Sequence, residues 1–182
     1  VEGLENCEQL ERLYVSDQQI KEPLVFDPNS MVMIANSLVA LEAQRNRIKD
    51  TSALAYLSNN MKNEQDDNNN RIDGLMVLDL NGNNIESAEV TTDLSSGVNL
   101  SLIIKDLEQC FACMVRLNEL DLRNNPIEKV PKIRDQVFMM SNTLSKLHSS
   151  LLYSLLPKAK FNDKEILPTE REFLYKFYNI KK

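Results

Sequence analysis

Two cysteines three residues apart, Cys110 and Cys113, are the first arrangement in this chain that could do chemistry. A redox pair with this spacing stands at the start of a helix that follows a strand, and a zinc site needs a second cysteine pair or histidines. Here the pair lies late in a predicted amphipathic helix, and the chain adds only Cys7 and His148 to it. We therefore interpret both cysteines as small buried apolar residues, and we predict no metal and no cofactor.

The other candidates for catalysis are isolated. His148 has no neighbouring nucleophile or paired acid, and four scattered glycines cannot build a phosphate-binding loop. Asp66 and Asp67 lie in an asparagine-rich run, where we expect solvated carboxylates rather than a calcium site. Because local spacing also indicates no Ser/His/Asp or Cys/His arrangement, we predict that the protein is not an enzyme.

Composition limits the classes of partner. The 182 residues include 21 basic and 27 acidic side chains, a formal net charge of −6, and the pI is near 4.9. Such a charge disfavours nucleic-acid binding, which needs a basic surface, and a polybasic membrane contact. No apolar run approaches the length of about 18 residues that spans a bilayer. Three cysteines indicate a reducing compartment rather than a disulfide framework, so we expect protein partners, no nucleic acid and no membrane.

One pattern of apolar and polar residues recurs four times, and its third copy is Leu75, Leu78, Leu80, Asn83 and Ile85. Its spacing, L-x-x-L-x-L-x-x-N-x-I, is typical of leucine-rich repeats. The other three copies are Leu10, Leu13, Val15, Gln18 and Ile20, then Leu38, Leu41, Ala43, Asn46 and Ile48, and finally Leu117, Leu120, Leu122, Asn125 and Ile127.

The spacing has a direct physical interpretation. Leu78 and Leu80 alternate inward on a short strand, Asn83 can bond backbone groups where the chain leaves the strand, and Ile85 points back into the core. One such unit cannot bury its apolar face alone, so neighbouring units stack around a continuous core. The predicted fold class is α/β: a leucine-rich repeat solenoid arc with short parallel concave strands, an irregular helical convex side and a C-terminal cap helix.

The repeats begin 28, 37 and 42 residues apart, whereas a unit of this class has about 20–29 residues. We assign the excess to inserted surface loops at about 59–71, which is rich in asparagine, and about 87–99, which is rich in Ser, Thr and Asp. The predicted organisation is leucine-rich repeats over 1–145, followed by an insertion and C-terminal cap over 146–182.

Apolar spacing also predicts helices between and after the strands. One covers 100–114, and another begins at Ile133, from which apolar residues step by three and four to Leu144. Ser30 is expected to cap the turn that follows it.

We predict a terminal cap over 168–178, because the end of a solenoid exposes core. Thr169 and Glu172 form a capping box that opens a helix. Its apolar stripe is Phe173, Leu174 and Phe177. Residues 1–10 look like the tail of an earlier repeat, and we expect the chain to be part of a longer protein.

Several segments carry a more specific likeness: residues 1–6, 24–28, 35–38, 127–140, 161–166 and 170–174. Together they resemble short leucine-rich repeat proteins that bind protein phosphatase 1. The most specific are Phe26-Asp27-Pro28 and the last two segments, which look like that family's L-D-G-K-E-I…E-R-x-F-L cap. The sequence departs from the family at Phe161-Asn162, where Leu-Asp is usual, at both inserted loops, and at 146–158.

This resemblance implies a phosphatase-binding protein found at centrosomes, basal bodies and other microtubule structures of ciliated cells, with further repeats upstream. We predict a non-catalytic protein–protein interaction scaffold in a ciliary, basal-body or other microtubule-associated assembly of the cytoplasm and cytoskeleton. The alternative is a regulatory or targeting subunit that binds the catalytic subunit of protein phosphatase 1 through the concave face. Proteins that dock on this phosphatase usually carry a short motif: a basic residue, then Val or Ile, then any residue, then Phe or Trp. The sequence has no clean match to this motif.

A third interpretation is a nuclear repeat protein of the spliceosomal type, which shares a similar cap. The match at Phe26-Asp27-Pro28 and the acidic charge count against it.

Side chains that alternate with the core leucines are predicted to project onto the concave face. The central column there is Tyr14, Glu42, Asp79 and Asp121, and neighbouring strands lie about 4.8 Å apart. Its three carboxylates could form an acidic stripe that steers a basic partner, or they could be solvated repeat residues without a role. The candidate partner-binding residues are Arg12, Tyr14, Glu42, Gln44, Asp79, Asn81, Glu119, Asp121 and Arg123.

Overall fold

The structure is a computed structural model that describes residues 1–58, 74–86, 117–130, 133–140 and 160–167, together with Thr169, Glu170, Phe173 and Lys176. Several predictions lie outside these residues. They are the two inserted loops, the helix over 100–114 with its cysteine pair, the 146–158 insertion with His148, and the domain boundary at 145/146.

Within the described residues, six strands form one sheet in chain order. They are β1 (Arg12–Tyr14), β2 (Ala40–Glu42), β3 (Val77–Asp79), β4 (Glu119–Asp121), β5 (Lys160–Phe161) and β6 (Lys164–Glu165). The first five are parallel and β6 returns antiparallel to β5. The strands predicted from the four repeats are confirmed, with Leu13, Leu41, Leu78 and Leu120 in register.

The connections between strands are short helices in the part of the chain that the structure shows. These are α1 (Pro28–Ile34), α2 (Ile133–Met140) and the 3₁₀ segments Ser52–Ser58 and Pro126–Lys129. The predicted helix from Ile133 is confirmed over Ile133–Met140, where it buries Ile133 and Val137 as its spacing requires. Its predicted continuation to Leu144 lies outside the described residues. Inside the predicted cap, the described positions are helical.

A single apolar core runs under the sheet, because each repeat covers the next one. Leu41, Leu78 and Leu120 are at most 2% exposed. The same cluster contains Leu38, Ile48, Leu75, Ile85, Leu117, Ile127 and Phe161. The stacking that the sequence pattern predicts is therefore present from the second repeat to β5.

The first repeat departs from the pattern at Ile20, which is 43% exposed. The prediction that this isoleucine points into the core is wrong. Ile48 and Ile85 lie between two stacked repeats, whereas Ile20 belongs to the repeat at the edge of the sheet. For the same reason Leu13 and Val15 are partly buried rather than fully buried.

Helix α1 is capped by Asp27 and not by Ser30, so that prediction is also wrong. The Asp27 carboxylate accepts the Ser30 N–H at 2.8 Å. Pro28 occupies the first turn, where its missing N–H has no consequence, and it favours the extended backbone seen at Asp27 (φ −80°, ψ 126°). Ser30 itself is buried, and its hydroxyl accepts the N–H of Leu4 at 3.3 Å.

The C-terminal end of the sheet is closed by a hairpin that the repeat pattern does not predict. Phe161 pairs with Leu120 of β4 and is 2% exposed. Asn162 and Asp163 turn the chain with positive φ angles of 49° and 62°, the conformation that two-residue hairpins favour. Phe173, which was predicted to lie in the apolar stripe of the cap helix, is 61% exposed, and the rest of that stripe is outside the described residues.

Candidate protein-binding face

The strands bring the predicted partner-binding residues onto one face of the sheet, which we call the concave face. One row across it is Arg12, Ala40, Val77, Glu119 and Lys160. The next row is Tyr14, Glu42, Asp79 and Asp121. Gln44, Asn81 and Arg123 follow at the carboxyl ends of the strands, where backbone bonds continue the same register. All nine predicted side chains thus belong to a single surface.

Asp121 is held by Arg123, two residues further along the chain. The guanidinium donates to both carboxylate oxygens, with the shortest contact at 2.5 Å, and the Arg123 N–H adds a bond of 2.9 Å. Burial on its own raises the pKa of Asp121, but the bonds from Arg123 outweigh it and hold this pKa below its ordinary 3.8. Asp121 is therefore a compensated charge.

Neighbouring charges on the same side of the face are compensated as well. Lys160 Nζ lies 3.1 Å from Glu119 Oε1, across β4 and β5. Arg123 also lies 3.7 Å from Asp163 in the hairpin turn. The part of the concave face next to β5 consequently carries a network of ion pairs rather than a free acidic stripe.

Asp79 is in a different environment, although it occupies the equivalent position on β3. It accepts bonds from the Gln44 side-chain amide at 2.5 Å and from the Asn81 N–H at 3.0 Å. Burial, together with the nearby charge of Asp121, raises the pKa of Asp79 above its ordinary 3.8, against the lowering effects of the Asn81 and Gln44 bonds and of the charge of Arg123. No ion pair to Asp79 or Glu42 occurs among the described residues.

An aromatic side chain borders this uncompensated part of the face. Tyr14 on β1 is 55% exposed, and its hydroxyl accepts a bond from Arg12 at 3.2 Å. An exposed tyrosine with a polar tip can contribute both apolar area and a hydrogen bond to a protein interface.

A shallow cavity of about 150 Å³ opens on the face between β3 and β4. We call it the anchor cavity; its lining residues are Val77, Leu78, Asp79, Glu119, Leu120, Asp121, Arg123, Lys160 and Asp163.

Lys160 and Asp163 belong to this surface although sequence reasoning missed them. The order Lys160-Phe161-Asn162 repeats the charged, apolar and polar order of Glu119-Leu120-Asp121. That signal could have placed another strand beside β4.

The described part of the chain offers no group of three or more His, Cys, Asp and Glu side chains arranged to hold a metal ion. None of the helices in that part has the length and apolar content to cross a membrane. The arrangement on the concave face, half-buried polar side chains on stacked strands beside the exposed Tyr14, is suited to contact with another protein.

No known protein-family profile matches the chain. Among solved structures, a chain in the crystal structure of the Drosophila melanogaster SNF/U2A′ complex matches it with a TM-score of 0.57 and 17% sequence identity. The match covers 100% of this chain and 76% of the other. That neighbour is a leucine-rich repeat protein, so the predicted leucine-rich repeat solenoid is confirmed. At this identity the likeness concerns the fold, which is typical of non-catalytic interaction scaffolds.

Proposed function

We propose that this chain is a non-catalytic scaffold that binds a protein partner through its concave face, in a ciliary, basal-body or other microtubule-associated assembly of the cytoskeleton. The observation that carries the binding role is the row from Tyr14 to Asp121 on stacked parallel strands, in which Tyr14 is exposed and the three carboxylates are half-buried. The cellular setting rests on the sequence resemblance to regulatory subunit 42 of protein phosphatase 1, a testis leucine-rich repeat protein, in its C-terminal part.

A pair of tyrosines on opposite sides of the solenoid allows a sharp test. Tyr14 is 55% exposed on the concave face, and Tyr56 is 40% exposed on the helical side. Each is replaced in the full chain by photoreactive benzoylphenylalanine, and the two proteins are irradiated with solubilised axonemal and basal-body proteins. We expect an adduct with a ciliary or microtubule-associated protein from position 14 and not from position 56.

The same adduct should be lost when Glu42→Lys and Asp79→Lys are added to the position-14 protein. Glu86→Lys, at an exposed residue on a loop after β3, serves as the matched charge control and should leave the adduct unchanged. Equal crosslinking from both tyrosine positions, or an adduct that survives reversal of both charges, would argue against the concave face as the binding surface.

A second candidate is regulation or targeting of protein phosphatase 1. Its support is the same resemblance, without a docking motif: Leu24-Val25-Phe26 and Gln136-Val137-Phe138 lack the spacer residue, and Phe26 and Val137 are buried. Calorimetry of the full chain with purified phosphatase 1 catalytic subunit tests it, beside a Glu42→Lys, Asp79→Lys, Asp121→Lys variant checked for folding. Binding that this variant loses would support the regulator; no heat at tens of micromolar would exclude it.

A third candidate, a spliceosomal-type repeat protein, is favoured by one observation. One solved structure whose fold covers this whole chain comes from the SNF/U2A′ complex. Binding of the full chain to purified SNF protein, measured by calorimetry, tests whether the shared fold extends to a shared partner.

A further inference from the structure

The anchor cavity separates two electrostatically different parts of the concave face. Four carboxylates line it, those of Asp79, Glu119, Asp121 and Asp163, against two cations, Arg123 and Lys160. The cations are already engaged, Arg123 with Asp121 and Asp163 and Lys160 with Glu119. The lining is thus acidic by two charges. Among the described residues, Asp79 is the lining carboxylate that makes no ion pair, and the charge of nearby Arg123 lowers its pKa less than burial raises it.

The cavity has the size of a side chain rather than of a helix. A cavity of about 150 Å³ accommodates a group as large as benzene. The anchor cavity has about this volume. Val77, a half-buried residue of the concave face, gives its lining an apolar side chain, and Asp79 stands beside it, whereas Leu78 and Leu120 point into the core. Long basic side chains combine these two properties, since they place methylene groups on apolar surface and a charge in a polar environment.

We propose that the partner of the concave face inserts one lysine or arginine side chain into the anchor cavity, with its charged end beside Asp79. This inference rests on the proposed function and names the chemistry of its partner: a protein segment that presents a single basic anchor, bordered by groups that pack on Tyr14. The partner's basic side chain is not expected to bind the side of the cavity near β5, because Asp121 and Glu119 there are already paired with Arg123 and Lys160.

The environment of Asp79 supports this occupant. Its carboxylate is partly removed from water and is bonded by two amide groups that carry no charge. Of the charged groups near it, Asp121 raises its pKa and Arg123 lowers it, and burial keeps the pKa raised. A cation placed against it replaces lost hydration and lowers its pKa again, so binding should release protons at pH values near that pKa.

The experiment uses a phage-displayed library of short randomised peptides, selected on the full chain with counter-selection on the Asp79→Asn variant. We expect the recovered peptides to share a lysine or arginine next to an apolar residue. The tightest synthetic peptide should bind Asp79→Asn about tenfold more weakly or worse, and replacement of its basic residue by norleucine or citrulline should have a similar effect.

Two further variants make the result specific. Glu86→Gln removes an exposed carboxylate on the loop after β3, outside the lining of the cavity, and should change the peptide affinity by about twofold at most. Val77→Lys places an amine of the chain itself at the cavity and should block peptide binding while circular dichroism stays that of the folded chain.

Peptides without a basic residue, or equal affinity for the wild type and Asp79→Asn, would overturn the inference. A selection that yields no binder would overturn it as well, because a single-anchor segment should be recoverable. That last result leaves the proposed function in place, since photocrosslinking at Tyr14 detects a folded partner surface that uses no such anchor.

Discussion

The side-chain oxygen of Asn83 accepts the backbone N–H groups of both Asn46, at 2.8 Å, and Ile48, at 3.1 Å. A single residue of the third repeat therefore holds the turn that follows β2. Its amide nitrogen donates to Ala43 O at 2.9 Å and Leu80 O at 2.8 Å, so every polar atom of this buried side chain is bonded. This bonding explains why an asparagine recurs at the position.

Asn83→Ala is expected to lower the free energy of unfolding by about 3 kcal/mol, because two buried N–H groups lose their acceptor and each such loss is worth about 1–3 kcal/mol. Urea denaturation of the full chain measures it. Gln18→Ala is the matched control, since Gln18 holds the same repeat position but is exposed and bonds Ser16 O of its own turn. The control should change stability by about 0.5 kcal/mol or less; similar losses for both variants would contradict the role of the buried asparagine.

Gly82 adopts a positive φ of 69°, and a Cβ placed on it would lie 2.8 Å from Cγ of Arg45. Gly82→Ala should therefore destabilise the chain by about 1–2 kcal/mol for the left-handed backbone, plus the displacement of Arg45. In an Arg45→Ala background the second contribution disappears, so denaturation of the two single variants and the double variant should show coupling. Asn124→Gly, at the equivalent position in the next repeat (φ 57°), should be neutral or slightly stabilising. Additive effects at Gly82 and Arg45 would show that their contact is not the cause.

The fold could be predicted because each position of the repeat has the same structural role wherever one repeat stacks between two others. The buried Leu41 and Leu78 alternate with residues of the concave face, and Asn46 and Asn83 bond the turns, so the pattern determines strands and their stacking. The prediction for Ile20 was wrong. Ile20 is the residue type that the pattern requires, but its repeat lies at the edge of the sheet. β5 was missed because Phe161-Asn162 departs from the pattern.

The candidate site was predictable in position but only partly in charge. Alternation places Asp79 and Asp121 in one row, yet the residue two positions later is Asn81 in one case and Arg123 in the other. That difference was readable, and it separates Asp79, which accepts bonds from amides, from Asp121, which is paired with a guanidinium. The ion pair between Glu119 and Lys160 was not predicted. It forms between β4 and β5, and the repeat pattern does not include β5.

Asp79 and Asp121 should give opposite responses to pH. Since the folded state raises the pKa of Asp79 above 3.8, its contribution to stability is complete below pH 3.8 and is lost as the pH rises through the folded-state pKa. Asp79→Asn should then stabilise the chain at neutral pH and have no such effect in acid. The pKa of Asp121 is lowered, so its contribution is present above pH 3.8 and is lost as the pH falls through the folded-state value. Asp121→Asn should destabilise the chain at neutral pH.

Urea denaturation of the wild type and both variants across the acidic to neutral range checks these signs. The isosteric amides preserve shape, so a difference between the two variants reports charge. If both variants shift stability in the same direction at neutral pH, the assignment of Asp79 as uncompensated and Asp121 as compensated is wrong.

Arg134 of α2 joins three parts of the C-terminal end. Its Nε and Nη2 lie 2.6 and 3.0 Å from the two carboxylate oxygens of Glu170, and Nη1 donates to Phe161 O at 3.4 Å. Nη2 also donates to Glu165 O at 3.3 Å, and the guanidinium carbon lies 5.9 Å from the centre of the Phe161 ring. This geometry needs the planar fork of an arginine, because an ammonium cannot satisfy both carboxylate oxygens and the carbonyls together.

Arg134→Lys is therefore expected to destabilise the chain by about 1–3 kcal/mol and to accelerate amide hydrogen exchange in the hairpin at 160–167. Arg45→Lys is the matched control, since Arg45 also contacts both carboxylate oxygens of an aspartate, Asp17, but both side chains of that pair are more than half exposed. Solvent screening leaves such a pair with little effect on stability, so the control should match the wild type in both measurements. Faster exchange in the hairpin with unchanged global stability would show that Arg134 fastens only the hairpin. Unchanged exchange would show that the hairpin is held by Phe161 and Ile166 in the core instead.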